Sequence, residues 1–406
     1  MKNFDLRSFH FNNPDIISDP YPLYRELLAD QPIFFTEMYG GAWIVTRYAD
    51  VLPLLTDKRL SSRRAAVPVS RLSDEERKEF TSMIDVFSKW VAFFDPPHHA
   101  SYRRLLGKGI LPFTPDVLRP RVKELLDGLI EPVARSGSMD ILKDVAYPLP
   151  ALLIADLLGA PREDYQQLIT WADDIAHLFG SSEVTLEMVR RTKKSAFELL
   201  EYLRGLVEDT KQTPRDTIIG RLLAARDGEL RFSEDDIAAQ CILLLFAGLE
   251  SARYLIGNGF LALFEHPDQL ERLKVSPALV ASAVEEFLRY DNPIQFIART
   301  AKEDFELKGH RIQRGSVVLP VVGAANRDPA QFPDPDRLDI GRTENKHLAF
   351  GQGAHLCIGA TIVRVQVQMA FTTLLERMPD MRLVPQELDW NANLGFRGLR
   401  SLRVEL

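Results

Sequence analysis

The stretch from Phe350 to Gly359 constrains this chain most, because it places a cysteine between glycines just before an apolar run of helical character. Glycine tolerates positive φ angles and has no Cβ, so such a backbone can curl around a bulky group. A cysteine at a helix start lies near free N–H groups and the positive end of the helix dipole, which predicts a thiolate at Cys357. One thiolate suits a metal whose other ligands come from a cofactor. A lone cysteine is also commonly a small buried apolar residue, so the residues alone leave both interpretations open.

The spacing Phe-Gly-x-Gly-x-His-x-Cys-x-Gly resembles the haem-binding loop of the cytochrome P450 family. Its members here are Phe350, Gly351, Gly353, His355, Cys357 and Gly359. The resemblance implies that the cofactor is haem b and that Cys357 is the axial ligand of its iron, a mode of ligation that favours O–O cleavage. It also implies one mainly α-helical domain over residues 1–406 with a minor β region. The haem would lie between a long central helix and the helix after the cysteine loop.

The composition excludes several other classes of protein. The net charge of −7 argues against a general nucleic-acid binder, which needs a basic excess. Cys241 and Cys357 are far apart in sequence and suggest no disulfide framework, which fits a reducing cytoplasm. The N-terminal residues lack the apolar segment of a signal peptide, and no apolar run approaches the roughly 18 residues of a membrane span. We therefore expect a cytoplasmic protein without a membrane partner.

A second motif follows Pro96 and Pro97, which are typical of a helix start. His99 and Arg103 are four residues apart and share one helix face. Taken alone they would be an ordinary basic face. In the family that the chain resembles, such a His-x-x-x-Arg pair holds a haem propionate, and Arg299 matches a second propionate-binding arginine. Arginine is well suited to this role because it binds carboxylates in a bidentate manner.

A long helix is predicted after Ser233, which is a favourable N-cap followed by acidic residues. Midway it carries Ala247 and Gly248, then Glu250 and Ser251, which either marks a helix reaching the surface or has a function. The stretch resembles the oxygen-binding groove of the family, where small residues leave room for dioxygen and an acid and an alcohol relay protons. Ser251 stands where threonine is usual. Serine keeps the hydroxyl but lacks the methyl group that restricts χ1, which predicts looser positioning and more peroxide leakage.

Glu286 and Arg289 are three residues apart on a predicted helix. A surface ion pair of little energetic value is the ordinary interpretation. The family resemblance instead implies a structural Glu-x-x-Arg pair that holds together the segment beneath the haem.

The substrate-facing candidates are apolar and are equally compatible with a core position. They are Leu243, Phe246, Ile294, Phe296, Leu394 and Phe396, and Ala247 lies among them on the long helix. Arg63 and Arg64 could hold a carboxylate, but a pair of solvated side chains is the preferred interpretation. The cluster of aromatic residues before Asp95 corresponds to the loop over the substrate in the family.

The resemblance implies a monooxygenase that inserts one oxygen atom from O2 into a medium-sized hydrophobic substrate, by hydroxylation or epoxidation, in natural-product biosynthesis. Electrons would come from a separate ferredoxin or flavodoxin, docked on a basic patch on the cysteine side. That patch would consist of Arg103, Arg104, Lys108 and Arg364. A peroxide-driven peroxygenase, an oxidative coupling or cyclisation enzyme, and a non-catalytic haem-binding sensor are the alternatives. The retained acid and alcohol of Glu250 and Ser251 argue against the peroxygenase and the sensor.

Overall fold

Helices make up most of the computed structural model, which describes residues 11, 13–70, 72–181, 184–393 and 395–406. The α-helices in chain order are α1 (Pro14–Ser18), α2 (Tyr21–Asp30), α3 (Tyr48–Leu54), α4 (Asp74–Glu79), α5 (Thr81–Ser88), α6 (His98–Ile110), α7 (Pro115–Ile130), α8 (Pro148–Leu158), α9 (Tyr165–Gly180), α10 (Leu186–Gln212), α11 (Ile218–Ala224), α12 (Glu234–Glu265), α13 (Pro267–Val275), α14 (Val280–Tyr290), α15 (Val322–Ala325) and α16 (Ala360–Arg377).

The β structure is small and lies at the edge of the helical body. Its strands are β1 (Ile33–Thr36), β2 (Ala42–Val45), β3 (Leu60–Ser61), β4 (Ser138–Asp140), β5 (Arg299–Ala301), β6 (Phe305–Leu307), β7 (His310–Ile312), β8 (Val317–Pro320), β9 (Arg382–Leu383) and β10 (Arg403–Glu405). One sheet has the order β1-β2-β8-β5-β3, in which only β2 and β8 are parallel. A second sheet has the order β4-β10-β9, and β6 and β7 form a hairpin. The expectation of a mainly α protein with a minor β region is confirmed.

Helix α12 is the central element of the fold. Ser233 forms a reciprocal capping box, since its Oγ accepts from the N–H of Asp236 and its own N–H donates to Asp236 Oδ2, each at 3.1 Å. The helix is apolar on nearly all sides and packs against α8, α9, α10, α14 and α16. Among the described residues it is the one helix long and apolar enough to cross a membrane, yet 72% of its most apolar window is buried inside the protein. Core packing therefore accounts for its apolar sequence.

The pair formed by Glu286 and Arg289 is buried, with both side chains fully inaccessible. The guanidinium donates Nε–H and Nη2–H to the two carboxylate oxygens at 2.8 Å, and it also donates to the carbonyls of Asn326 and Pro335 at 3.1 and 2.7 Å. The N–H of Asp339 donates to the same carboxylate at 2.9 Å. The interpretation as an exposed surface pair is therefore wrong. The pair joins α14 to the irregular segment that leads to the cysteine loop.

Replacing Arg289 with alanine is expected to lower the free energy of unfolding by about 3 kcal/mol, the lower end of the range for breaking a buried ion pair, because Glu286 loses its bidentate partner and keeps only Arg342, at 3.2 Å. Urea denaturation followed by circular dichroism measures this change. The matched control is Arg311→Ala, which removes an arginine from an exposed ion pair with Asp304 and is expected to cost less than about 1 kcal/mol. Equal losses in the two variants would contradict a special role for the buried pair.

Candidate active site

One largely apolar cavity of about 470 Å³ lies between α12 and the loop that precedes α16. Cys357 lines it, and so do Ala247, Gly248 and Ser251 of α12. The structure therefore brings together two motifs that are more than a hundred residues apart in sequence. The other candidates that line the same cavity are His99, Arg103, Leu243, Phe246, Ile294, Phe296, Arg299, Phe350, Gly351, His355, Gly359 and Phe396. Leu394, the remaining substrate-facing candidate, lies outside the described residues.

The loop that carries Cys357 is a tight coil of backbone. Gly351 and Gly353 adopt φ angles of +71° and +70°, a backbone conformation that residues other than glycine rarely adopt. The coil closes when the N–H of Cys357 donates to the carbonyl of Phe350 at 2.9 Å. The guanidinium of Arg364 lies 4.5 Å from the centre of the Phe350 ring, a cation–π contact that holds this ring from the α16 side.

The sulfur of Cys357 faces the cavity, and this explains why the residue has accessible surface although it lies deep in the protein. Burial raises the pKa of the Cys357 thiol above its usual value, while the N–H of Gly359 and the charges of Arg103 and Arg364 act in the opposite direction. Helix α16 begins only at Ala360. The start of the helix therefore favours the thiolate through the N–H of Gly359, while burial opposes it. The charge of a bound metal ion is what deprotonates a coordinating thiol.

A cluster of basic side chains lines the cavity next to the loop. His99 of α6 is buried, and its Nε2 has no hydrogen-bond partner among the described residues. Its ring lies 3.9 Å from that of His355, whose Nε2 is 3.2 Å from the Oγ of Ser62. Arg103, one helical turn after His99, donates to the carbonyl of Leu356. Burial is the main cause that lowers the pKa of His355, to about 3, so this imidazole is neutral near pH 7.

Two further arginines of this cluster lack a carboxylate partner. Arg299 is buried, and its guanidinium donates to the carbonyl of Ala298 at 2.9 Å, while Arg64 donates to the same carbonyl at 3.2 Å. Among the described residues neither arginine forms an ion pair, and the Asp95 carboxylate acts on Arg299 only from beyond that range. Burial lowers the pKa values of Arg64 and Arg299 to about 9 and about 10. The unpartnered imidazole nitrogen of His99 and the unpaired guanidinium groups of Arg103 and Arg299 fit the two propionate groups of a haem.

The acid and the alcohol of α12 face different spaces. Ser251 lines the cavity, and its Oγ donates to the carbonyl of Ala247 at 2.9 Å. Glu250 is buried, forms an ion pair with Arg253, and lines a second, more open and polar cavity of about 700 Å³. There Arg253 also contacts Asp173 at 3.2 Å. Burial is the largest influence on Glu250 and raises the pKa of its carboxyl to about 7, although Arg253 opposes this.

The far wall of the cavity is aromatic. Phe246 stacks on Trp90 with ring centres 5.2 Å apart, and Phe179 of α9 lies within 5.7 Å of both rings. Phe93 also belongs to this aromatic group, and its ring centre lies 5.3 Å from that of Trp90. Phe179 is a cavity-lining residue that sequence reasoning missed, and Arg64 is one for which the interpretation that we preferred is wrong. Phe179 falls in an ordinary amphipathic pattern, and Arg64, which we expected to be solvated beside Arg63, lines the cavity instead.

The comparisons with known proteins agree with this geometry. The family model for Cytochrome P450 matches residues 278–385. The chain is 34% identical over 410 residues to the polyketide biosynthesis cytochrome P450 PksS of Bacillus subtilis strain 168, with 98% of each chain covered. It is 35% identical over 394 residues to the biotin biosynthesis cytochrome P450 of the same strain, covering 96% of this chain and 97% of that one.

Among solved structures, P450BioI in complex with an acyl carrier protein ligated to hexadec-9Z-enoic acid superposes with a TM-score of 0.89 at 33% identity. That match covers 97% of this chain and 99% of the other. Relatives of this identity and coverage share the family as well as the fold. The chain therefore belongs to the cytochrome P450 family, as a monooxygenase that binds haem b through the sulfur of Cys357.

Proposed function

We propose that this P450 inserts one oxygen atom from O2 into a C–H or C=C bond of a medium-sized hydrophobic substrate in natural-product biosynthesis. The observation that carries the proposal is the single cavity lined both by Cys357 and by the apolar and aromatic wall. When bound, the haem supplies the oxygen-activating chemistry, and the protein supplies the axial ligand, the protons and a dry pocket of defined shape. The names of the relatives PksS and the biotin biosynthesis P450 support a biosynthetic role.

The substrate would lie against the apolar side chains of the wall. Leu243 and Phe246 come from α12, Ile294 and Phe296 from the segment before β5, and Phe396 from the C-terminal turn. They originate in three separate parts of the chain, so the shape of the pocket depends on the packing of the whole domain. The solved P450BioI complex carries a long unsaturated acyl chain, which is compatible with a wall of this kind.

The small residues of α12 would keep space open opposite Cys357. Ala247 has accessible surface although it is in the middle of a buried helix, which indicates that it borders the cavity. A Cβ at Gly248 would lie 2.5 Å from Cδ1 of Ile154, so a larger residue there would require the Ile154 side chain of α8 to move. We assign Ala247 and Gly248 to the space in which dioxygen binds.

Glu250 and Ser251 would together carry protons across α12. Successive residues of an α-helix are turned by about 100°, which explains why these neighbours reach different cavities. Glu250 contacts the open polar cavity, where solvent supplies protons, and Ser251 holds a hydroxyl at the cavity of Cys357. A carboxyl group with a pKa near 7 exchanges protons readily at neutral pH.

Electrons would come from a separate ferredoxin or flavodoxin. The basic patch expected on the cysteine side is weaker than the sequence suggests, because Arg104 pairs with Asp227 at 2.7 Å and Arg364 pairs with Glu285 at 2.7 Å. Leu356, next to Cys357, is 44% exposed. We place the docking surface around this residue, where a redox protein would approach the cysteine loop most closely.

A single cytoplasmic domain remains our proposal for the organisation of the chain. The main apolar core cluster extends from Val69 to Val404, and smaller clusters surround the strands of the largest sheet. Both cysteines are free: Cys241 is buried in α12 and Cys357 faces the cavity. These features support one folding unit in a reducing compartment.

Screening a compound library for shifts of the haem absorption spectrum tests the proposed function. We expect apolar compounds of medium size to displace the iron-bound water and then to be oxidised when a ferredoxin, its reductase and NADPH are supplied. Turnover with hydrogen peroxide alone and none with the redox partners would favour the peroxygenase. Binding without turnover under either condition would favour a non-catalytic haem protein.

The variant Ser251→Ala is expected to form severalfold less product per NADPH consumed and more hydrogen peroxide, because it removes the hydroxyl that faces the cavity. Ser251→Thr restores the methyl group that fixes χ1 and is expected to match or exceed the wild-type ratio. Product and peroxide are quantified against NADPH consumption. An unchanged ratio in Ser251→Ala would remove this residue from the mechanism.

The yield of product per NADPH is expected to fall as the pH rises through about 7, since the protonated form of Glu250 donates the proton and its pKa is raised to about 7. An ordinary glutamate, with a pKa near 4.3, would be less than about 1% protonated at this pH. Glu250→Gln is expected to give a low yield that no longer depends on pH in this range. Glu265→Gln, at the exposed end of the same helix, should retain the wild-type profile. A pH profile shared by wild type and Glu250→Gln would exclude this relay.

A further inference from the structure

The cationic side chains around the cavity outnumber the anionic groups that a haem supplies. Among the described residues that line it, Arg64, Arg103 and Arg299 carry positive charge, and none of them forms an ion pair. The charges of ferric iron, the porphyrin ring and one thiolate cancel, so the haem contributes only its two propionates. Arg63 and Asp95 lie 3.7 Å apart and balance each other. One guanidinium charge is therefore left without an anion when the haem is bound.

Arg64 occupies the position that connects the basic cluster with the aromatic wall. On one side its Nη1 donates to the carbonyl of Ala298, the residue before Arg299. On the other side its guanidinium lies 4.8 Å from the centre of the Phe93 ring, which itself packs 5.7 Å from Phe179. Of the three arginines it is the one placed against the substrate wall.

The environment of Arg64 differs sharply from that of the residue before it. The Arg63 side chain is 73% exposed and is paired with Asp95. The accessible surface of Arg64 faces the cavity, and burial together with Arg299 lowers the pKa of Arg64, although a value of about 9 leaves it charged at neutral pH. A guanidinium has five N–H donors, and one of those of Arg64 is used among the described residues. A buried charge with unused donors is unfavourable unless an anion binds to it.

We infer that Arg64 binds the carboxylate of an amphipathic, singly charged substrate whose apolar chain lies along the aromatic wall. The inference rests on the proposed oxidation of a hydrophobic substrate in this cavity and narrows it to carboxylic acids. One surplus positive charge matches one carboxylate. A phosphate monoester carries nearly two negative charges at neutral pH and would leave the site negative. Arginine and carboxylate also match in geometry, since two parallel N–H···O bonds form between them.

The test compares tetradecanoic acid, tetradecan-1-ol and tetradecyl phosphate as ligands of the haem-loaded protein by isothermal titration calorimetry. The wild type is expected to bind the acid at least tenfold more tightly than the alcohol and more tightly than the phosphate. In Arg64→Gln the affinity for the acid is expected to fall about 10- to 100-fold, the effect of losing hydrogen bonds to a charged group, while the affinity for the alcohol is unchanged. Arg64→Lys keeps the charge and should recover part of the difference. Arg63→Gln, the adjacent exposed arginine, is the matched control and should behave as the wild type.

Three results would overturn the inference. Equal affinities for acid and alcohol in the wild type would show that no cation selects a carboxylate. A loss of haem from Arg64→Gln, measured as the pyridine haemochrome, with the preference for acid intact would assign this arginine to a propionate. Tighter binding of the phosphate would assign the site to another anion. If neither the acid nor the alcohol binds, the proposed binding of hydrophobic substrates in this cavity is contradicted. If the alcohol binds but the acid is not preferred, only the assignment of Arg64 is contradicted.

Discussion

Burial of the Cys357 sulfur is the constraint on which the rest of the structure depends. An apolar surrounding opposes ionisation, and the pKa of this thiol is raised in spite of the nearby Gly359 N–H and two arginines. The protein surrounds the sulfur with groups that favour the thiolate, while burial opposes it. It also provides a coil in which Gly351 and Gly353 have positive φ angles and a guanidinium over Phe350, and the charge of a bound metal ion would favour the thiolate further. Ligand and cofactor thus stabilise each other.

The same constraint explains the arginines beside the loop. A cofactor with two carboxylates binds in an apolar interior only if cations there neutralise its charges. The burial of these cations is unfavourable until the cofactor binds. His99 accordingly has an imidazole nitrogen without a hydrogen-bond partner among the described residues, and Arg299 has a guanidinium group without an ion pair. The buried pair of Glu286 and Arg289 has the opposite character, because the two charges neutralise each other. The first two side chains are suited to bind an anion, whereas the buried pair joins parts of the fold.

Helix α12 separates the apolar cavity of Cys357 from the polar cavity of Glu250. The proposed proton transfer requires these two cavities to be adjacent. One face borders the dry cavity of Cys357 through Ala247, Gly248 and Ser251, and another face places Glu250 with Arg253 at the polar cavity. Two consecutive residues are sufficient to span this boundary because of the helical twist. A proton path across a single helix is therefore compatible with a pocket that excludes bulk water.

The sequence by itself determined the local features: the start of α12 after its cap at Ser233, and the identity of the cysteine loop from its glycine spacing. These features depend on contacts between residues that are close in the chain, and such contacts can be predicted from a motif or from the periodicity of apolar residues. Only the tertiary structure decided which charges are buried. Arg63 and Arg64 are adjacent and chemically identical, yet one is solvated and the other lines the cavity, where it contacts the carbonyl of Ala298 and the ring of Phe93. Glu286 and Glu250 each pair with an arginine three residues later, as a surface glutamate can, and they differ from surface carboxylates because residues far away in sequence bury them. Burial is a property of the assembled chain, and pKa values and unpaired charges follow from it.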